Sequence, residues 1–272
     1  MLAQQLIRDG NLAGALTALQ DAVRKDASNA KLRVFLFQLL AVMGQWPRAL
    51  TQLNVAAELD AATLPMVQTY REAIQCEALR ADIFSGKRAP LIFGEPQPWL
   101  ALLIEALQHD ASDPARAAAA RAQAFEAAPA SPGSVDGTRF DWLADADSRL
   151  GPVLEAIVNG RYFWIPFCRI ARIVCDAPVD LRDTVWTAAT FTWTNGATTV
   201  GLIPTRYPGT VGAGADELLL ARRTEWTETG CGLGQRMFAS EAADYALMDL
   251  RLVEFDAPPE TAADAPESAA HG

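Results

Sequence analysis

The sequence predicts an α+β fold: an N-terminal TPR-like helical repeat domain followed by a mainly antiparallel β domain. Three observations predict it. The chain matches itself at an offset of 34 residues, its helical periodicity runs to about residue 127, and beyond about residue 130 short Thr- and aromatic-rich runs alternate with Gly, Pro, Asn and Asp.

The self-match lays Gly10–Asp26 over Gly44–Asp60. It pairs Gly10 with Gly44, Ala15 with Ala49, Leu16 with Leu50, Leu19 with Leu53, Ala22 with Ala56 and Asp26 with Asp60. Both the period and the residue types are those of tetratricopeptide repeats, in which a glycine ends the first helix of a pair and a small alanine lets the two helices approach. Helices are expected near 2–9, 12–25, 29–43 and 47–59, with a longer one over 64–85. Pro47 suits a first helical turn, where its missing N–H costs nothing. After the loop "SGKRAPLIFGEPQP", helices over Trp99–Gln108 and Pro114–Ala127 continue the array.

Residues 129–138 read as a linker, 139–255 as the β domain and 256–272 as a disordered acidic tail, leaving 1–128 to the helical domain. "LGPVLEAIVNG" (Leu150–Gly160) reads as a short helix with a Gly-Pro entry and an Asn-Gly exit. Strands are expected over Arg161–Phe167 and Arg169–Asp176, then in a hairpin around Asn195-Gly196 as a two-residue type I′ turn. Further strands are expected near 218–228, 234–239 and 246–255. This pattern fits either a strongly curved sheet or a partly closed barrel.

Composition narrows the function classes. No apolar run approaches the roughly 20 residues needed to span a bilayer, and "MLAQQLIRDG" lacks the basic start and apolar core of a secretory leader, so a cytoplasmic protein without membrane insertion is expected. Cys76, Cys168, Cys175 and Cys231 form no CxxC pair and read as reduced thiols. With only His109 and His271, histidine catalysis and most transition-metal sites lack their usual residue. Residues 1–130 carry 12 Lys+Arg against 13 Asp+Glu, whereas 131–272 carry 11 against 20 and all 11 are arginines. An acidic chain without a basic patch argues against nucleic acid, and arginine's fork suits ordered carboxylate pairs.

The sequence carries no recognisable metal, cofactor or catalytic motif. Asp141, Asp145 and Asp147 gather three carboxylates, but without the glycine and distal glutamate of a calcium loop, so helix capping and pairing with Arg149 or Arg139 explain them. No nucleophile elbow, HExxH, phosphate loop or dinucleotide fingerprint is present. Arg206, Glu225 and Arg236 could hold a small acidic substrate, which leaves an enzyme as one alternative to a non-enzymatic role. A helical-repeat groove, by contrast, is a natural receiver for a partner helix.

"DADSRLGPVLEAIVNGRYFWIPF", "DLRDTVW", "LIPTRYPG", "RTEW", "GLGQR" and "LMDLRLVEF", in this order, resemble the ImpE family, also called SciE or TagJ, of type VI secretion accessory proteins. The resemblance implies a non-enzymatic adaptor that works with the contractile sheath. Its implied partners are the small sheath subunit, met through that subunit's N-terminal helix, and the AAA+ ATPase that disassembles contracted sheaths. A general TPR-like adaptor unconnected with secretion stays open beside it. The concave helices and a rim of Arg206, Tyr207, Trp226 and Arg236 are the expected protein-binding residues, since Tyr, Trp and Arg favour interface anchoring.

Overall fold

The computed structural model describes residues 1–257. It opens with α1 (Leu2–Arg8), α2 (Leu12–Lys25), α3 (Ala30–Val42), α4 (Trp46–Leu59) and the long α5 (Leu64–Phe84). Gly10 and Gly44 follow α1 and α3 with φ of 73° and 66°, the left-handed conformation that closes a helix without a Cβ penalty. The Asn11 and Asn29 side chains accept from the backbone N–H groups of Gly14 and Leu32, capping α2 and α3. Ala15, Leu19, Ala49 and Leu53, the residues matched by the 34-residue offset, are fully buried. Strand β1 (Leu91–Ile92) interrupts the helices before α6 (Pro98–His109) and α7 (Pro114–Ala127) pack as a hairpin.

The remaining strands are β2 (Gly133–Val135), β3 (Thr138–Phe140), β4 (Ala144–Asp145), β5 (Val153–Val158), β6 (Arg161–Pro166), β7 (Ile170–Cys175), β8 (Trp186–Trp193) and β9 (Thr198–Pro204). Two short helices, α8 (Thr210–Ala213) and α9 (Asp216–Leu219), precede β10 (Thr224–Trp226), β11 (Gly232–Gly234), β12 (Met237–Ala239), β13 (Asp244–Ala246) and β14 (Leu252–Phe255). Nine strands form one sheet in the order β1-β6-β5-β9-β8-β7-β14-β2-β3, antiparallel except for β1 on β6. The sheet is open, with β1 and β3 at its edges, so of the two architectures the sequence allowed the barrel falls away. Ribbon β10-β11 and sheet β13-β12-β4 complete the β region.

Several local expectations are corrected. Leu150–Gly160 is not a helix: Val153–Val158 is a strand with all six residues buried. Both of its faces are covered, which removes the polar-apolar alternation that marks a half-exposed strand. Its Asn-Gly exit is the tight turn of the β5–β6 hairpin, with Asn159 and Gly160 at φ of 49° and 70° and Val158 opposite Arg161. Asp136-Gly137 does the same between β2 and β3, inside the stretch expected to be a linker. Asn195-Gly196 instead sits in a longer loop, in which Trp193 N–H donates to the Ala197 carbonyl and Asn195 does not take a positive φ. The expected strand over 218–228 divides into α9 and β10, and that over 246–255 divides where Asp249 N–H turns back onto the Ala246 carbonyl. The acidic tail lies outside the described residues from 258 onward. Asp256, at its start, pairs with Arg139 at 2.6 and 2.8 Å.

The sheet separates two apolar layers. Val153, Ile157, Tyr162, Trp164, Trp186 and Leu202 pack into the core of the helical repeats. Leu154, Ala156, Ile165, Phe191 and Ile203 face the opposite way, against Phe238, Leu247, Leu250 and Val253. The chain's own later segments also cover part of the repeat. Leu36–Val42 of α3 are buried throughout, and Leu12 N–H donates to Asp216 at 2.9 Å.

Candidate functional site

The corner that follows β9 is fixed by backbone bonds. Thr205 N–H donates to the Val185 carbonyl, Arg236 N–H to that of Thr205 and Tyr207 N–H to that of Gly234. This places Arg206 and Tyr207 inside, at the junction of the helices with the sheet. Arg206 Nη1 donates to the carbonyls of Val42 and Leu219 at 2.7 and 2.6 Å. The Tyr207 hydroxyl donates to the Met237 carbonyl at 2.9 Å and accepts from its N–H at 2.8 Å.

Beside this corner lies an ionic network whose centre, Glu155, Asp145 and Arg236, is fully buried. Arg80 of α5 grips Glu155 of β5 with Nε at 2.6 Å and Nη2 at 3.0 Å, and its Nη2 also donates to the Arg206 carbonyl at 2.7 Å. Arg236 donates to Glu155, to Asp145 and to the Pro204 carbonyl, and the Tyr162 hydroxyl donates to Glu155. Asp147 takes Arg149 and the Gly232 N–H, while Glu77 accepts from Trp186 Nε1 at 3.0 Å. Such a network holds only when every member is satisfied, since an unpaired buried charge is costly.

The electrostatics follow from this crowding. Burial alone would raise the Glu155 carboxyl, but the Arg80 and Arg236 guanidiniums hold it down at about 2. Burial pushes Asp145 up to about 7, against the pull of Arg236, with Asp147 and Glu155 adding to the rise. Burial likewise pulls the Arg206 guanidinium down to about 10, only partly offset by Glu77.

Of the four expected rim residues, Arg206, Tyr207 and Arg236 are buried and cannot serve as surface anchors. Only Trp226 is open, at 48% exposure, with its ring 5.6 Å from that of Tyr207. A sequence reading places these residues outward because the partners that make burial affordable are far along the chain. Glu225, the third member of the suggested substrate clamp, pairs at the surface with Arg223 at 2.6 Å and does not join Arg206 and Arg236. Of the expected roles of the aspartates, the pairing of Asp147 with Arg149 is present, but Asp145 is engaged by Arg236, Arg139 turns to Asp256 instead, and no helix follows Asp147 for it to cap.

Sequence reasoning missed Arg80, Glu77 and Glu155. Their signal was a charge standing in an apolar stripe: Glu77 and Arg80 continue the buried Tyr70, Ala73 and Ile74 along α5, and Glu155 interrupts an otherwise apolar run.

A different surface stays open. Ile7 of α1 and Leu32 and Phe35 of α3 face Val179, Leu181 and Met248 across a groove of about 650 Å³, with Lys31 and Asp180 also in its lining. This is an open, mainly apolar groove between the repeat and the Pro178–Thr184 segment.

Comparison with known proteins matches the ImpE protein family over residues 137–254 and a tetratricopeptide repeat over residues 6–74. A relative from Pseudomonas aeruginosa, described as type VI secretion system accessory component TagJ, is 54% identical over 257 residues, covering 94% of this chain and 92% of its own. The chain belongs to the ImpE (TagJ) family. A crystallised protein of Vibrio parahaemolyticus superposes with a TM-score of 0.85, covering 94% of this chain and 98% of the other at 23% identity, and so shares the fold. The family pattern thus joins a helical repeat, a protein-interaction architecture, to the ImpE β region. Among the described residues, no helix is long and apolar enough to cross a membrane.

Proposed function

We propose that this ImpE-family chain is a non-enzymatic cytoplasmic adaptor of a type VI secretion system. In this reading it binds the small contractile-sheath subunit through that subunit's N-terminal helix and influences recruitment of the AAA+ ATPase that disassembles contracted sheaths. The observation that carries the reading is the open apolar groove between α1, α3 and the Pro178–Thr184 segment. An amphipathic helix would lay its apolar face against Leu32 and Phe35, as in helix-in-groove recognition. Trp226 supplies a second exposed contact for a protein partner.

The test is calorimetric titration of the full chain with a peptide of the cognate sheath subunit's N-terminal helix. Saturable binding that weakens at least about tenfold, or about 1.4 kcal/mol, in Phe35→Asp, with an unchanged circular dichroism spectrum, is expected. No binding by the folded protein, to the peptide or to the intact subunit, would remove the proposal.

A further inference from the structure

Arg206 is 5% exposed, and among the described residues it donates through Nη1 alone. Its Nε–Nη2 edge meets no acceptor there. The arginines of the neighbouring network, by contrast, are each answered by a carboxylate: Arg80 by Glu155, Arg236 by Asp145 and Glu155, Arg149 by Asp147. Glu77 is already engaged by Arg80 and by Trp186 Nε1, and it forms no ion pair with Arg206.

The unfilled edge accompanies a cavity. Arg206 lines a space of about 140 Å³ together with Trp46, Glu77, Arg80, Tyr207 and Thr210, with Pro208 and Gly209 also in its lining. The "RYPG" corner, Arg206–Gly209, is therefore both the stiff element of the fold and one wall of a chamber. The Nε–Nη2 edge of a guanidinium presents two parallel N–H donors, the geometry that accepts both oxygens of a carboxylate.

We propose that this cavity is a binding site for one carboxylate group, gripped side-on by the Nε–Nη2 edge of Arg206. The lining sets the class further. Glu77 disfavours dianions such as phosphate by like-charge repulsion, and Trp46 and Tyr207 offer apolar walls to a short alkyl stem. A small free carboxylate and a glutamate side chain of a partner share this chemistry. The site is separate from the α1–α3 groove, so it stands independently of the adaptor reading.

The experiment titrates the full chain with ¹³C-labelled acetate against chloride at constant ionic strength, following acetate line width and the thermal midpoint. A blocked Gly-Glu-Gly tripeptide forms the second arm. Saturable acetate binding marks a free-carboxylate site, and saturation by the tripeptide alone marks a side-chain site. In either case binding weakens at least about tenfold in Arg206→Lys, which keeps the charge but loses the planar edge. Ala81→Leu, made at an exposed position of α5 that lines the cavity, weakens it too and gives the answer if Arg206→Lys does not fold. Equal effects of chloride, unaltered binding in the folded variants, or saturation by neither ligand would overturn the site.

Discussion

Arg80 and Glu155, 75 residues apart, meet through two nitrogens and two oxygens with both side chains buried, and this pair joins the fifth helix to β5, the third strand of the nine-stranded sheet. Glu155 also receives Arg236 and the Tyr162 hydroxyl, so one carboxylate holds α5, β6 and the segment before β12 together.

Removing that carboxylate takes from Arg80 its two-point partner, leaving Glu77 at 3.4 Å as its only carboxylate, and from Arg236 one of its two carboxylates. Glu155→Ala is expected to cost about 3–5 kcal/mol, the range for breaking a buried pair from one side. Urea unfolding of the variant against the parent reads it directly, and a loss below about 1 kcal/mol would mean that the network behaves like a surface pair.

Gly232 shows how tightly the corner is closed. A Cβ at this position would lie 2.2 Å from the Tyr207 ring, although the glycine needs no left-handed backbone. Gly232→Ala should therefore destabilise by about 1–3 kcal/mol through overpacking. In Gly232→Ala with Tyr207→Ala the two penalties should fail to add, because the small side chain removes the clash. Strict additivity in thermal unfolding would disprove the steric cause.

The two network carboxylates drive stability in opposite directions with pH. Asp145 rises on folding from 3.8 to about 7, so the folded state holds the extra proton; its contribution is full below 3.8 and is lost as pH climbs through about 7. Glu155 falls from 4.5 to about 2, so its contribution is present above 4.5 and is lost as pH drops through about 2. The charged and titratable groups that act on Asp145 are Arg236, Asp147 and Glu155, with Tyr207 also close enough to feel its charge. Stability should therefore increase as pH is lowered from above 7 towards 4.5 and then fall steeply. Asp145→Asn should flatten the upper limb and keep the acid limb. Denaturant midpoints across this range are the measurement, and an upper limb unchanged in the variant would contradict the assignment.

The repeats were legible because a 34-residue period is written locally, in glycines that end helices and alanines that pack them. The β5–β6 hairpin was misread although its Asn159-Gly160 turn was in plain view. Without alternation in β5 there was no strand for that turn to close, and the same dipeptide at 195–196 drew the turn assignment instead. The buried network was illegible for a different reason. Arg206 and Arg236 look like surface charge until Glu155 and the Val42 carbonyl, brought from distant segments, are placed against them. The open groove depends on how α1 and α3 meet Pro178–Leu181, a relationship that no periodicity records.

The position of β14 imposes an order of assembly. It lies between β7 and β2, and it is the strand through which the β2–β3 hairpin joins the rest of the sheet. During synthesis that hairpin leaves the ribosome more than a hundred residues before its neighbour does. Until β14 arrives, β7 and the hairpin each present an unpaired strand edge, a surface prone to mispairing. The sheet is thus sealed in its interior by a late strand, and those two edges stay open until residues 252–255 pair with them.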